Sequence, residues 1–210
     1  MKIQVALDFS DLKQAIAIAK EVEEYVDIIE AGTPLIKSEG MNAVVELKKR
    51  FPKKKIVADM KTMDTGAFEA EIAINAGADI ITVLGAADDK TIKDAIETAE
   101  KNKKECVVDL INTSPERWKE IEKLKPHYLG FHVGIDQQKK GVNVLEQIIN
   151  LKEKRNIKIA VAGGINKDKI KSIADKKVDI IIVGGAITRS ENPKNAAKEI
   201  CEELNRFRKI

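Results

Sequence analysis

Short runs rich in valine and isoleucine alternate with longer amphipathic segments along the whole sequence, and this pair repeats eight times within 210 residues. Continuous apolar runs of this length are typical of strands that are buried on both faces of a parallel sheet. They predict strands at residues 3–7, 27–30, 56–60, 80–84, 106–111, 128–133, 157–162 and 180–183. The segments with helical spacing predict helices at residues 11–24, 34–50, 65–75, 88–101, 115–124, 142–154, 167–175 and 193–207.

Eight strand and helix units with no Pro- or Ser-rich linker between them predict an α/β chain that forms a single (β/α)8 TIM barrel over residues 1–210. The structural alternative is a doubly wound open sheet. That fold usually carries a glycine fingerprint after its first strand, whereas here the first strand ends in Leu7-Asp8-Phe9-Ser10, without glycine. The barrel is therefore the favoured architecture.

Three places in the sequence carry helix-boundary signals. Ser10 or Asp11 can cap the first helix, because a short polar side chain there accepts a free backbone N–H of the first turn. Gly40 interrupts the first half of the second helix, and Gly77 closes the third.

The composition excludes several classes of function. Lys and Arg number 37 against 34 Asp and Glu, a net charge of +3, and the lysines are mixed with glutamates along helical segments. This pattern is typical of solvated helix faces, so we expect no nucleic-acid partner. No apolar run approaches the roughly 20 residues of a membrane span, so we expect a soluble, cytoplasmic protein without a membrane partner. Cys106 and Cys201 lack the spacing of a zinc site or disulfide framework and are expected to be packed residues.

Polar side chains gather where the predicted strands end. In a (β/α)8 barrel the active site is built at the carboxyl ends of the strands and in the loops that follow. The polar residues at these positions are Asp8, Glu30, Asp59, Lys61, Asp64, Thr82, Asp109 and His132. Taken singly, Asp8 could cap a helix, Asp109 could belong to a turn and His132 could be a core histidine. Burying all of these polar groups together at one low-dielectric end of the barrel would cost too much free energy for packing alone to explain it. We therefore predict an active site there. His127, in a loop after Pro126, is expected to be exposed.

The hexapeptide from Asp59 to Asp64 carries two carboxylates and a lysine. Strand alternation puts Asp59 and Lys61 on one face, with Asp64 in the following turn; the alternative is a surface salt bridge. At neighbouring strand ends, Glu30 and Asp59 suit a hard cation such as Mg2+. Beside that ion, Lys61 could stabilise an enediolate that develops on a sugar phosphate. His132 is the natural mobile acid and base, because its unperturbed pKa lies near neutrality.

Two glycine pairs, Gly163-Gly164 and Gly184-Gly185, follow the seventh and eighth strands. The loops in these positions form the phosphate site of many such barrels, and glycine lets the backbone amides approach a phosphate closely. The alternative is a pair of tight strand-to-helix turns. Arg189 follows shortly afterwards and could add a charged contact, although it could equally be a surface residue.

With its Asp-x-Lys-x-x-Asp motif after the third strand, the chain resembles the orotidine 5'-monophosphate decarboxylase suprafamily over its full length, and within it the 3-hexulose-6-phosphate synthase family. The supporting motifs are Leu7-Asp8, residues 30–34, 59–64, 82–87 and 132–137, and the Ala-Gly-Gly and Val-Gly-Gly turns. The resemblance implies a Mg2+-dependent aldol reaction of formaldehyde with D-ribulose 5-phosphate, or its reverse, through a 1,2-enediolate. It also implies a homodimer in which each site borrows the Asp64 loop of the other subunit. Asp8 and Asp109 would then orient substrate hydroxyls or the lysine.

Three other functions stay open at this point. The related 3-keto-L-gulonate-6-phosphate decarboxylases characteristically have an arginine three residues after the catalytic histidine, and Ile135 at that position favours the synthase. Orotidine decarboxylation is less favoured, because the motif is embedded differently there and Glu30 and His132 would have no role. A barrel that only senses phosphosugars would not need to keep Lys61 and His132 together.

Overall fold

The computed structural model describes residues 1–149 and 156–208, and in it eight parallel strands close into a barrel in chain order. The strands are β1 Lys2–Leu7, β2 Ile28–Ala31, β3 Lys55–Thr62, β4 Ile80–Leu84, β5 Glu105–Asp109, β6 Tyr128–His132, β7 Lys158–Ala162 and β8 Ile180–Val183. The predicted (β/α)8 barrel is confirmed. The alternative of an open sheet is excluded, because β1 pairs directly with β8.

Helices surround the barrel and connect successive strands. They are α1 Leu12–Val22, α2 Thr33–Glu39, α3 Asn42–Arg50, α4 Gly66–Asn75, α5 Asp89–Lys101, α6 Pro115–Lys123, α7 Ile135–Gln138, α8 Val144–Ile148, α9 Ile170–Ala174, α10 Gly185–Thr188 and α11 Pro193–Arg208. Short 3-10 turns occupy Glu23–Tyr25 and Lys167–Lys169.

The helix-boundary signals act as predicted. Asp11 caps α1 by accepting a hydrogen bond from the backbone N–H of Gln14 at 2.8 Å. Gly40, with φ of 61°, separates α2 from α3 and so divides the helix expected at 34–50. Gly77, with φ of 104°, follows the end of α4.

Several element boundaries differ from the prediction. The fifth strand ends at Asp109, two residues early, because Leu110 begins a turn. The helix expected at 167–175 begins as a 3-10 turn, and of the helix expected at 142–154 only α8 is helical within the described residues, since 150–154 lie outside them. Helices α7 and α10 were not predicted, because four residues are too few to show helical spacing.

The barrel interior changes from apolar to polar along its axis. Its apolar layer near the amino ends of the strands consists of Ile28, Val57, Ile80, Val107, Tyr128, Ala160 and Ile180. Two residues further along each strand, the next inward side chains include Glu30, Asp59, Thr82 and Asp109, all of them buried. The period of the strands thus delivers the polar residues to one end of the barrel.

At the opposite end, the side chain of the residue before each even-numbered strand accepts the backbone N–H of the second residue of the preceding odd-numbered strand. The pairs, acceptor first, are Asp27 with Ile3, Asp79 with Ile56, His127 with Cys106, and Asp179 with Ile159. The expectation that His127 is exposed was therefore wrong: it is half-buried, and its Nδ1 lies 3.3 Å from the Cys106 amide.

Both cysteines are free and packed, as expected, with Cys106 fully buried and Cys201 half-buried. Burial raises the pKa of the Cys106 thiol to about 12.

Within residues 1–149 and 156–208, no helix has the length and apolarity required to cross a membrane.

Candidate active site

A cavity of about 690 Å³ opens at the carboxyl ends of the strands. Eleven of the twelve residues predicted for the site line it: Asp8, Glu30, Asp59, Lys61, Asp109, His132, Gly163, Gly164, Gly184, Gly185 and Arg189. The twelfth, Asp64, lies outside the cavity. Residues that are far apart in sequence thus meet in one concave space of the size that small-molecule sites have.

The Lys61 ammonium lies between two buried carboxylates. Its Nζ is 2.6 Å from Oδ2 of Asp59 and 3.2 Å from Oδ2 of Asp109. Burial by itself would lower the pKa of Lys61, but the negative charges of Asp59, Asp109 and Glu30 outweigh it and hold the pKa above its usual value. Lys61 is therefore a fixed positive charge at neutral pH.

An irregularity in β3 brings Asp59 and Lys61 to the same cavity. The pairing of β3 with β4 shifts register between Ala58 and Thr62, and Lys61 has φ of 46°, in the left-handed region. The prediction that the two side chains project together holds, but regular strand alternation is not the whole reason. A β-bulge re-aims side chains in this way at many active sites.

His132 and Asp109 form a second polar pair. Nδ1 of His132 lies 2.9 Å from Oδ2 of Asp109, whose Oδ1 accepts the backbone N–H of Ile111 at 2.9 Å. Burial would raise the pKa of Asp109, but His132, Lys61 and the Ile111 amide outweigh it and lower that pKa. Because an ionised carboxylate only accepts hydrogen bonds, Nδ1 carries the hydrogen and Nε2 is left for chemistry.

Glu30 is buried at the end of β2 and accepts a hydrogen bond from Nε2 of Gln4 at 2.7 Å. Burial and the charge of Asp59 raise the pKa of Glu30 well above its usual value. The negative charges of the two carboxylates in this buried space are therefore not fully balanced, and an added cation would balance them.

This donor set suits Mg2+. In the part of the chain that the structure describes, no group of three or more His, Cys, Asp or Glu side chains is arranged to enclose a metal. A cation between Glu30 and Asp59 would therefore take its other ligands from water or substrate oxygens, and Mg2+ is usually bound through one or two carboxylates.

The two glycine turns and Arg189 form the other wall of the cavity. Gly163 has φ of 112°, and a Cβ there would lie 2.4 Å from the carbonyl oxygen of Val133, so only glycine fits. The Arg189 guanidinium lies over Gly185, close enough that a Cβ on that glycine would be 2.5 Å from it. Among the described residues no carboxylate forms an ion pair with Arg189. A positive charge above open backbone turns is an arrangement that binds anions.

Asp8 and Asp64 occupy different surroundings. Asp8 stands at the mouth of the cavity beside Gly32 and Gly184, where the enclosing protein and the charge of Asp59 raise the pKa of its carboxyl. Asp64 is exposed in the loop after β3, and its Oδ1 accepts the backbone N–H of Thr65 at 2.7 Å. Asp64 does not line the cavity of its own chain.

Sequence reasoning missed Gln4 and Gln138, which also line the cavity. Gln4 is a polar residue inside an otherwise apolar strand, and an inward position in a barrel strand was the signal that could have identified it. Gln138 lies on α7, whose four residues show no periodicity. Thr33, at the start of α2, also lines the cavity, and its Oγ1 donates a hydrogen bond to Oδ2 of Asp59 at 2.7 Å.

The profile of one known family, described as the orotidine 5'-phosphate decarboxylase / HUMPS family, matches residues 1–200. A 3-hexulose-6-phosphate synthase of Bacillus subtilis is 45% identical over 203 residues, which are 95% of this chain and 97% of that protein. The crystal structure of 3-hexulose-6-phosphate synthase from Salmonella typhimurium is 40% identical and superimposes with a TM-score of 0.95, covering 99% of this chain and 100% of the other. The 3-keto-L-gulonate-6-phosphate decarboxylase of Vibrio cholerae is 33% identical, with a TM-score of 0.86 and 98% of each chain covered.

Proposed function

The chain belongs to the orotidine 5'-phosphate decarboxylase / HUMPS family of enzymes, and we propose that it catalyses the reaction named by its synthase relatives. The reaction is the Mg2+-dependent aldol condensation of formaldehyde with D-ribulose 5-phosphate to D-arabino-hex-3-ulose 6-phosphate, or its reverse, which makes the protein an aldehyde-lyase. We assign it to the cytoplasm, where a phosphorylated sugar is retained.

One observation carries the proposal beyond similarity. The cavity holds an ammonium, a histidine whose Nδ1 faces a carboxylate, and two further carboxylates on one side, with a guanidinium above glycine turns on the other. A sugar phosphate is complementary to this arrangement, with a dianion at one end and a carbonyl with an adjacent hydroxyl at the other. Ile135 lines the cavity where the decarboxylases characteristically have arginine, which favours the synthase.

In the proposed mechanism, Gly163, Gly164, Gly184, Gly185 and Arg189 bind the phosphate, and Asp8 hydrogen-bonds a sugar hydroxyl. The carbonyl end then lies beside Lys61, whose ammonium is already fixed between Asp59 and Asp109. Because these groups are oriented before the substrate arrives, the charge that develops in the reaction meets a preorganised partner.

His132 moves the proton. Its Nε2 removes a proton from C1 of ribulose 5-phosphate, and the electron pair of the broken C–H bond forms the 1,2-enediolate, whose negative charge Lys61 stabilises. C1 then attacks the formaldehyde carbon, the former C2 becomes a ketone again, and the new alkoxide takes a proton from the imidazolium. Asp109 keeps the ring oriented and stabilises its charged form.

We propose that Glu30 and Asp59 hold Mg2+, for the reasons of burial and charge given above. When bound, Mg2+ supplies a second fixed positive charge beside the carbonyl end of the substrate. Gln4 orients Glu30 from below, and Thr33 does the same for Asp59.

We also propose a homodimer whose sites each receive Asp64 from the partner. Asp64 is exposed outside its own cavity, and two exposed large apolar side chains lie close to it in sequence, Met63 at 54% and Phe68 at 65% exposure. Large apolar side chains exposed in the same segment as a charged residue are consistent with a protein–protein interface.

The test is to incubate the purified protein with ribulose 5-phosphate, formaldehyde and Mg2+ and to follow formaldehyde consumption. We expect turnover that EDTA abolishes and added Mg2+ restores. In the same assay Lys61→Ala should be inactive while still binding the phosphosugar, since the phosphate site is on the opposite wall.

Two outcomes would point elsewhere. Absent formaldehyde consumption together with CO2 release from 3-keto-L-gulonate 6-phosphate would assign the chain to the decarboxylases. Phosphosugar binding without turnover of either substrate, unchanged in Lys61→Ala, would indicate a sensor.

A further inference from the structure

Thr82 lies on β4 opposite both Asp59 and Lys61, the two residues of the β3 bulge that face the cavity. The mechanism above gives Thr82 no role. The register pairs Ala58 with Ile81 before the bulge and Thr62 with Val83 after it, so β3 advances four residues while β4 advances two. Continued forward, the first register sets Asp59 beside Thr82. Traced backward, the second sets Lys61 beside the same residue.

The Thr82 hydroxyl makes one hydrogen bond to each of these neighbours. Its Oγ1 donates to Oδ1 of Asp59 at 2.9 Å and accepts the backbone N–H of Lys61, also at 2.9 Å. The residue is only 7% exposed, so water does not replace these partners easily. The donor and an acceptor site of a single hydroxyl are thus both directed to the Asp-x-Lys motif.

The backbone at Lys61 requires such a partner. Its left-handed φ of 46° costs a non-glycine residue about 1–2 kcal/mol. The bulge also removes the Lys61 amide from the ladder between β3 and β4, and a buried amide left unpaired costs about 1–3 kcal/mol more. Thr82 supplies the missing acceptor and at the same time fixes the Asp59 carboxylate, leaving Oδ2 for Lys61 and Thr33.

We infer that Thr82 is a positioning residue: its hydroxyl locks the bulge so that the Lys61 ammonium and the Asp59 carboxylate face the cavity together. The inference rests on the proposed function for its kinetic consequence, but its geometric part does not. Two readouts are therefore needed, one of which is independent of turnover.

The experiment compares Thr82→Val, which keeps the shape of the side chain and removes the hydroxyl, with Thr82→Ser, which restores it. Thr98→Val on α5 is the matched control, because Thr98 is 6% exposed and lies outside the cavity. For each protein we would measure kcat, the KM for ribulose 5-phosphate, the thermal midpoint, and hydrogen exchange of the Lys61 amide by NMR.

In Thr82→Val we expect kcat to fall by about 10- to 100-fold, as for other residues that orient a catalytic group. The KM should change by less than about threefold, because the phosphate is bound on the other wall. The Lys61 amide should exchange at least about tenfold faster, since its acceptor is gone. Thr82→Ser should recover all three values, and Thr98→Val should leave them unchanged.

A folded Thr82→Val protein whose kcat and Lys61 exchange both match the wild type would overturn the inference. So would equal losses of kcat in Thr82→Val and Thr98→Val, which would reveal a general packing effect. If Thr82→Val does not fold, Thr82→Ala removes the same hydroxyl without added bulk and is judged by the same criteria. If the wild type consumes no formaldehyde, the proposed function fails, while the exchange of the Lys61 amide still decides the role of Thr82.

Discussion

Asp109 contacts both of the groups to which we assign chemistry, and it does so through a single oxygen. Its Oδ2 lies 2.9 Å from Nδ1 of His132 and 3.2 Å from Nζ of Lys61. A neutral amide at this position could present an N–H to the ring and change the tautomer of His132. It would also remove one of the two negative charges that fix the lysine.

We therefore predict that Asp109→Asn lowers kcat by about 10²-fold or more while phosphosugar binding is retained. Steady-state kinetics and calorimetric titration with ribulose 5-phosphate would measure the two effects. Asp136→Asn is the control, because Asp136 is a carboxylate that follows the same strand as His132 but is exposed and pairs with Lys139. A kcat within about twofold of the wild type in Asp109→Asn would contradict the role given to this residue.

Gly163 offers a second test at a single position. Gly163→Ala must adopt φ of 112° and bring its Cβ to 2.4 Å from the Val133 carbonyl oxygen, so the turn has to move. We expect a loss of about 1–3 kcal/mol in the free energy of unfolding and a raised KM for ribulose 5-phosphate. Gly40→Ala separates strain from crowding, since Gly40 also has positive φ, at 61°, but a Cβ there would meet no described atom within 4 Å. Denaturant unfolding and kinetics of both variants would show whether Gly163 costs more.

The first side chains of three odd-numbered strands form an ionic cluster across the base of the barrel. Glu105 of β5 is hydrogen-bonded to Lys55 of β3, and its Oε1 accepts from Lys158 of β7 at 3.0 Å. Burial would raise the pKa of Glu105, but the two lysines outweigh it and lower that pKa from 4.5 to about 2.

The sign of the pH effect follows from this shift. Because the folded pKa is below the unfolded one, the contribution of Glu105 to stability is complete above about pH 4.5 and is lost as the pH falls toward 2. We expect Glu105→Gln to lower the free energy of unfolding at pH 7 by about 1 kcal/mol, since both lysines are partly solvated. Urea unfolding between pH 7 and 2 would check it, and a difference that did not shrink with acid would show that the cluster is not the cause.

Much of the element pattern was predictable, because buried parallel strands and amphipathic helices have different periods in sequence. The strand ends also identified Glu30, Asp59, Asp109 and His132 as cavity residues, since an inward polar residue beside an apolar run has few other places to lie. Geometry that depends on two strands at once could not be predicted in this way. The β3 bulge and the resulting role of Thr82 emerge only from the register with β4.

The complete molecule that we propose is a pair of barrels, and this can be tested by mixing two inactive variants. Lys61→Ala damages the site of its own chain, whereas Asp64→Ala damages the site of the partner. In a mixed dimer one of the two sites then has both residues intact, so random exchange should restore about a quarter of wild-type activity. Activity assays after mixing, with sedimentation to measure the dimer, would show this. If Asp64 serves its own chain, mixing restores nothing.

The four side chains that close the amino end of the barrel divide the molecule into quarters. Each belongs to the residue before an even-numbered strand and accepts a backbone N–H of the preceding odd-numbered strand. The four residues are Asp27, Asp79, His127 and Asp179. All four of these bonds stay within a quarter, which we call a module, whereas the Glu105 cluster and the ion pair of Lys104 with Asp79 at 2.8 Å join different modules. A circular permutant opened at Asn102 and Lys103, between modules, should keep a thermal midpoint close to that of the parent. One opened just before Asp79, inside a module, should melt earlier, because it cuts the chain that links Ile56 to its acceptor.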